Sequence, residues 1–411
     1  MPGRKFLNKF PALNKSKAAF HWRSFEEFAG VLSKTKLRLN FGSFLGYLNL
    51  KESSVGVSDR DLTFREQEKL TSDTKKALAS GAFGVSVNLR SDTGGIPRDE
   101  IREISAVIAR MKRSFSLDFE IGGISKDPRK AEYLKEFLLI FKETESDIIL
   151  TSLHNPLKNE KEDKEDHELF GEIIAESSSG MNVGIQISPL PWVAVPIAYF
   201  LPEIFQENNP QKKINLYRET LFKKEALANI SPYLSRIKSV AGTPKNIASF
   251  AGRTLEELSD LLHLSREDAL LFLAESSRLK ATVFCEECAY CKNKFSRFSL
   301  TILSSGNAYS SGSSVFGRER AVPSFLKNVY EVFGGSFEQM VPRITSLPAR
   351  KYQIAERGVI AEGMFADIII ADQNLEITHT LVNGSLSFEK SENGKIKKVV
   401  PAPFAGKFLK K

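Results

Sequence analysis

The chain has 411 residues, 42% of them hydrophobic and 26% charged. These are ordinary values for a soluble globular protein whose core is large enough to need no covalent staples. They exclude a disulfide mini-scaffold, a collagen-like fibre and a largely disordered chain, and the length suits one large domain with a small one. The net charge of +8 is uneven: residues 1–23 carry +6, residues 389–411 carry +5, and the body between them is slightly acidic at −3. A nucleic-acid-binding protein concentrates its basic excess on the folded surface with aromatics interleaved, so this distribution argues against one.

Residues 1–20 read as a basic leader. Lys15 and Lys17 interrupt any signal-peptide core, and no strand-like apolar run occurs there. Leu37–Leu45 then reads as a strand, Leu62–Ser80 as a helix closed by Gly81, and Ala82–Val87 as the next strand. Arg98–Lys112 is a helix with Ile101, Ile104, Val107, Ile108 and Met111 on one face. Phe115–Phe119 is a strand, Pro128–Thr144 a helix, Ile148–Leu153 a buried strand, Asn159–Glu176 a charged helix, and Val183–Ser188 a strand.

Ser177 to Pro202 contains no charge and imitates a membrane span, but Pro189, Pro191, Pro196 and Pro202 would break a helix through it. A buried strand running into a Pro-rich loop is the better reading. Thr254–Leu262 and Ser265–Ser276 are two short helices, Ser265 being an N-cap with Asp268 three residues on. Phe298–Leu303 is another buried strand, and Val322–Phe333 and Phe337–Ile344 are helices. Repeated strand–helix units predict a parallel sheet, doubly wound or barrel-shaped.

The last 65 or so residues change character. Phe365–Ala371, Ile377–Val382, Ser385–Phe388 and Lys397–Val400 are strand-like, with Asn383-Gly384 and Asn393-Gly394 as hairpin turns. The division falls near Pro348, giving a leader (1–20), an α/β body (21–347) and a C-terminal β layer with a basic tail (348–411).

The three cysteines, Cys285, Cys288 and Cys291, lie within seven residues. No long-range disulfide framework exists, which suits a reducing cytoplasm. Thiolates at this spacing serve in zinc and iron–sulfur sites, but a closed zinc site needs four ligands and no second Cys pair follows. Buried or partly exposed thiols are the simpler reading. His21, His167, His263 and His379 sit in charged, helical or turn contexts that place them on the surface.

Several motifs together resemble the amidohydrolase superfamily, and within it the N-acyl-D-amino-acid deacylases (D-aminoacylases). The C-terminal set is Ile344-Thr-Ser-Leu-Pro-Ala-Arg350, Arg357-Gly-Val-Ile-Ala-Glu-Gly-Met-Phe-Ala-Asp367 and Leu381-Val-Asn-Gly384. Upstream, Asn40-Phe-Gly-Ser-Phe-Leu-Gly46, Gly81-Ala-Phe-Gly-Val-Ser86, Gly252-Arg-Thr-Leu-Glu-Glu-Leu258 and Leu303-Ser-Ser-Gly306 follow the family's order. The likeness spans residues 21–390 and implies a (β/α) TIM-type barrel, here incomplete and lacking its first strands, plus a small C-terminal β-sandwich layer. In this reading Pro348 stops a helix, Gly358 and Gly363 allow tight turns, and Ala366 and Ile368–Ile370 pack between barrel and sandwich.

The resemblance further implies zinc and a general-base Asp that hydrolyse the amide of an N-acyl amino acid at the C-terminal ends of the strands. The sequence departs from that pattern. It has no His-x-His; Tyr47 follows Gly46 where the family has Gly-His; Asp118 stands where a His belongs; and Ser305 takes the place of the Asp. A serine has no titratable group near neutral pH to shuttle the proton. His154 alone survives near a strand end, and one His cannot hold zinc. Tyr47, Asn88, Asp118, His154, Ser305 and Arg320 are the candidate pocket residues, with Arg90 beside Asn88; His154, Cys285, Cys288 and Cys291 are the weak candidates for a metal. The expected readings are a metal-dependent amidohydrolase, a non-catalytic scaffold or gene remnant of that kind, or one half of a split enzyme. Open barrel edges predict self-association or a partner chain that supplies the missing strands.

Overall fold

The computed structural model describes residues 22–35, 37, 39–56, 60–89, 96–119, 124–151, 160–188, 192–202, 220–286, 301–304, 325–390, 407 and 409. Six parallel strands make its central sheet, in the order β1 (Leu45–Gly46), β2 (Gly84–Asn88), β3 (Ser114–Asp118), β4 (Asp147–Thr151), β5 (Val183–Ile187) and, after a long excursion, β9 (Thr301–Leu303). Helices α1 (Phe25–Lys34), α2 (Tyr47–Val55), α3 (Phe64–Ala79), α4 (Arg98–Arg110), α5 (Pro128–Glu143) and α6 (Glu160–Ser177) precede or link these strands. Repeated parallel βα units are the building plan of a TIM-type barrel.

Local chemistry sets the helix ends. Thr63 and Glu66 form a reciprocal capping box at the start of α3, and Asp127 caps α5 ahead of Pro128, whose missing N–H costs nothing at that position. Along α4, Ile101, Ile104, Val107 and Ile108 are all buried against the sheet, at roughly 1.5–3 kcal/mol each.

The strands alternate rather than running continuously apolar. Val85, Val87, Phe115, Leu117, Ile148, Leu150, Ile185 and Leu303 face the helices in the main core. The other face carries Ser86, Asn88, Ser116, Asp118, Ile149, Thr151, Gly184, Gln186 and Ile302. Two glycines of the resemblance motifs are fixed by close approach: a Cβ on Gly84 would lie 1.8 Å from the Ser114 carbonyl oxygen, and one on Gly42 would meet the Phe83 ring at 2.4 Å.

The excursion between β5 and β9 is a unit of its own, which the Pro-rich reading of residues 177–202 does not anticipate. It is an antiparallel sheet in the order β6 (Trp192–Pro196), β8 (Thr282–Glu286), β7 (Ile237–Gly242), with α7 (Thr220–Ile230), α8 (Leu255–Leu262) and α9 (Arg266–Ser276) around a separate core. Ser265 caps α9 as the sequence predicts, and Thr254 with Glu257 adds a capping box to α8.

Three short helices follow β9: α10 (Phe325–Val332), α11 (Phe337–Ile344) and α12 (Ser346–Lys351). Pro348 does not stop a helix. It sits in the first turn of α12, where proline is tolerated, and the chain breaks instead at Thr345 (φ −130°, ψ −89°).

The C-terminal layer is one antiparallel sheet, β10 (Ile368–Ala371), β11 (Ile377–Val382) and β12 (Ser385–Glu389). Asn383 (φ 49°) and Gly384 (φ 79°) join β11 to β12 in the left-handed pair that a type I′ turn demands. Ile369 and Ile370 are about half exposed, so they do not pack between barrel and layer as the motif reading expects. The strand expected at Leu37–Leu45 is likewise confined to Leu45–Gly46, since the chain enters helix α2 directly at Tyr47. The expected strand Lys397–Val400 lies outside the described residues. Among the described residues no helix is long and apolar enough to cross a membrane.

Candidate functional site

In a parallel βα sheet the helices cover one face, and the carboxyl ends of the strands open toward loops. Register brings two of the candidate residues together there. Asn88 ends β2, Asp118 ends β3 and Thr151 ends β4, and all three are in line across the sheet. The Asn88 amide donates to the Asp118 carboxylate at 3.1 Å. The Thr151 hydroxyl donates to the Leu117 carbonyl at 3.2 Å, which fixes its rotamer beside Asp118. On β9 this level is occupied by Ile302, in register with Gln186; Ser304, whose N–H donates to the Ile187 carbonyl at 2.9 Å, follows two residues further on. His154, Ser305, Arg90 and Arg320 lie outside the described residues, as do Cys288 and Cys291.

One turn deeper, Ser86 and Ser116 pair with each other in register. At these same levels, where Ile149 is in register with Ser116 and Ile302 with Gln186, the face is covered by the segment after α11. Tyr352 and Leu347 pack on Ile149 and Ile302, and the Tyr352 ring stands edge-on to Phe44 with centroids 5.9 Å apart. The Tyr352 hydroxyl donates to Gln186, while the Lys351 ammonium donates to the Asn182 side chain and, at 2.8 Å, to the Val183 carbonyl. Burial pushes the Tyr352 phenol up to about 12 and lowers the Lys351 ammonium. The result is a polar tray of hydroxyls, amides and one carboxylate, flanked on the same face by an apolar and aromatic patch. Sequence reasoning missed Ser86, Ser116, Gln186 and Tyr352. The available signal was the alternation in Val85-Ser-Val-Asn88, Ser114-Phe-Ser-Leu-Asp118 and Gly184-Ile-Gln-Ile187.

Tyr47 is drawn away from this tray into the helix layer and is 2% exposed. Its hydroxyl donates to Glu100 Oε2 at 2.5 Å, and Lys51, one turn along α2, donates to Glu100 Oε1 at 2.8 Å. Burial, with the Glu100 hydrogen bond second, holds the Tyr47 phenol protonated far above its usual range. The three side chains tie α2 to the first turn of α4.

The other titratable candidates are dispersed. Cys285 is buried mid-strand in β8, opposite Val193 and Ile237, as an inert thiol among apolar neighbours. His167 is buried, not superficial: it lies with Asp166, Phe170, Ile173 and Ile174 on the inner side of α6, while Lys164 and Glu165 are exposed. His263 is an exposed left-handed C-cap, and His379 lies on β11. Among the described residues no group of three His, Cys, Asp or Glu is placed to hold a metal ion. Zinc takes imidazole, thiolate and carboxylate donors. The described strand ends offer one carboxylate, an amide and a hydroxyl, so these residues do not fit zinc.

The motif residues converge elsewhere. Asn40 Nδ2 donates to Asp367 Oδ2 at 2.8 Å, and Asn383 Nδ2 donates to Asn40 Oδ1 at 2.8 Å. The Asn383 backbone N–H donates to Asp367 Oδ1 at 2.8 Å, and Arg357 bonds both Asp367 and the Asn383 side chain. The Arg357 guanidinium also lies 4.1 Å from the Phe365 ring centroid. Three motifs thus form one polar knot between the β1 side of the body and the C-terminal layer.

The sequence matches no protein-family model and no curated protein. Solved structures do match it. N-acyl-D-glutamate deacylase from Bordetella bronchiseptica, complexed with zinc and a phosphonate mimic of the tetrahedral intermediate, aligns at 17% identity and TM-score 0.63 over 94% of this chain and 75% of that one. A D-aminoacylase studied for its binuclear metal center aligns at 16% identity and TM-score 0.66 over 100% of this chain and 79% of that one. The D-aminoacylase described as defining a novel subset of amidohydrolases gives 16% and 0.63 over the same shares. This chain has their fold.

Proposed function

We propose that this chain is a small-molecule-binding protein on the D-aminoacylase fold that does not carry out zinc-dependent hydrolysis. Its ligand is a small N-acyl amino acid or a similar amide, held over the polar tray. The arrangement at the strand ends carries this reading: Asn88, Asp118 and Thr151 share one level, while Tyr47 is spent on Glu100 in the core. A tray of this kind supplies hydrogen bonds in several directions to an amide and its polar substituents. Its donor set at the strand ends, one carboxylate with an amide and a hydroxyl, is not one that grips zinc.

The second reading, hydrolysis of N-acyl-D-amino acids, is favoured by the fold itself, which two D-aminoacylases and an N-acyl-D-glutamate deacylase share. One experiment separates the two. Purified full-length protein is assayed for zinc content and for turnover of a panel of N-acyl-D-amino acids, with binding of the same panel followed by ligand-observed NMR. The expected outcome is binding without turnover and with zinc well below one equivalent. Zinc near one equivalent, with turnover that a chelator abolishes, would establish the hydrolase instead.

A further inference from the structure

Near the C-terminal end, Lys407 and Leu409 meet the segment ahead of β1. The Phe41 N–H donates to the Lys407 carbonyl at 2.9 Å, and the Leu409 N–H donates to the Phe41 carbonyl at 2.7 Å. This two-sided exchange around one residue is the pattern of a parallel β-bridge. The Lys407 N–H also donates to Asn40 Oδ1 at 3.0 Å, the same oxygen that accepts from Asn383. The Lys407 ammonium stands 5.2 Å from the centroid of Phe365, the ring that Arg357 also approaches.

We propose that Lys407 and Leu409 act as a clasp that fastens the lead-in of edge strand β1 to the C-terminal β layer. The grip is made by the backbone, through Phe41 and Asn40, four and five residues before β1. It therefore depends on the tail's path rather than on its lysines. Because Asn40 also bonds Asp367, the residue immediately before β10, release of the tail loosens the segment ahead of β1 and the layer together. A two-residue edge strand has few bonds of its own, so a strap beside its approach guards a vulnerable end of the sheet.

Hydrogen exchange on the full chain tests this. Three variants are compared with the parent: a stop after residue 406, Leu409→Pro, which removes one donor from an otherwise intact tail, and Lys407→Gln, which keeps the backbone grip. The stop variant and Leu409→Pro are expected to exchange at least about tenfold faster over residues 39–46, the equivalent of one lost hydrogen bond. Peptides covering β10 and β11 are expected to follow them, and Lys407→Gln to match the parent. Unchanged exchange over 39–46 in Leu409→Pro would overturn the clasp. Faster exchange there with β10 and β11 unmoved would overturn its coupling to the layer. A loss equally large in Lys407→Gln would show that the ammonium, not the backbone, makes the grip.

Discussion

Asn40 and Asp367 stand 327 residues apart in the chain and share a 2.8 Å hydrogen bond. The same carboxylate accepts from the Asn383 backbone N–H and from Arg357, whose side chain is only 8% exposed. Replacing Asp367 by Ala leaves a largely buried guanidinium and two amide donors without their acceptor. The expected cost is about 1–3 kcal/mol, the scale for hydrogen bonds to a charged group, since Asp367 itself is partly exposed and Arg357 keeps the Asn383 side chain. Asp367→Asn, which keeps an acceptor oxygen, should cost about half of that. Urea denaturation of the two variants against the parent measures both, and equal midpoints for all three would refute the knot's structural role.

Gly358 and Gly363 both adopt left-handed backbone, with φ +88° and +80°, but their surroundings differ. A Cβ on Gly358 would meet the Ala349 Cβ at 2.6 Å and the Thr345 carbonyl oxygen at 2.9 Å, whereas one on Gly363 meets nothing within 4 Å. Gly363→Ala should therefore cost only the left-handed penalty, about 1–2 kcal/mol. Gly358→Ala adds a backbone clash at the start of α12 and should lose roughly 3 kcal/mol or more. Thermal midpoints ranked the other way round would contradict the packing described for α12.

Tyr47→Phe isolates the one candidate residue that the fold draws into its core. The change deletes a 2.5 Å bond to Glu100 and leaves the Lys51 bond to the same carboxylate. The expected loss is about 1–3 kcal/mol of stability, since the hydrogen bond involves a charged group. Tyr47→His, which introduces the residue type the family has there, is expected to be at least as destabilising and to recruit no zinc. A stable, zinc-loaded Tyr47→His protein, detected by elemental analysis, would show that this position faces the tray after all.

Tyr352 makes the patch beside the tray sensitive to alkali. Its phenol is raised by burial from 10 to about 12. The folded state thus favours the protonated form. The stability this contributes is complete below the unfolded value near 10 and is lost as the pH climbs through about 12. Tyr352→Phe should flatten the fall in urea midpoint between pH about 9 and about 11.5, at a fixed cost of about 1 kcal/mol for the Gln186 bond. Parallel pH curves for the two proteins would mean that the phenol ionises without resistance.

The βα order was legible because its signals are local. Thr63 and Glu66 mark a helix start, and Ile101, Ile104, Val107 and Ile108 mark one face. Asn383-Gly384 marks a hairpin through the only backbone geometry that a two-residue loop accepts there. The antiparallel unit was not legible. Its central strand β8 pairs with β6 some ninety residues earlier, and no turn dipeptide joins them. Cys285 illustrates the difficulty: three cysteines in seven residues suggest a ligand set, yet Cys285 simply fills a core between Ile237 and Val283. His167 misled for a related reason: charge around it suggests a surface, yet the neighbouring Asp166 is buried too, accepting from Ser125. At the tray, Asn88 could be named from its strand end and Asp118 from the motif resemblance. Gln186 and Tyr352 needed the three-dimensional return of the chain across 166 residues.

The charge at the strand ends gives the proposed site its own test. Asp118 puts one carboxylate at the centre of the level it shares with Asn88 and Thr151. A ligand that carries its own carboxylate, as an N-acyl amino acid does, pays for approaching that group. Two like charges near 4 Å in a water-facing site repel by about 1 kcal/mol. Asp118→Asn keeps the shape and the acceptor oxygen that Asn88 uses while removing the charge. Binding of N-acetyl-D-amino acids should therefore tighten about fivefold in this variant, whereas the uncharged amide of the same compound should bind both proteins alike. Ligand-observed NMR titrations measure the four affinities. If the substitution weakens the acid and the amide equally, Asp118 is accepting a hydrogen bond from the acyl-amide N–H. If neither affinity moves, the ligand does not sit over β2, β3 and β4, and the tray is not the site.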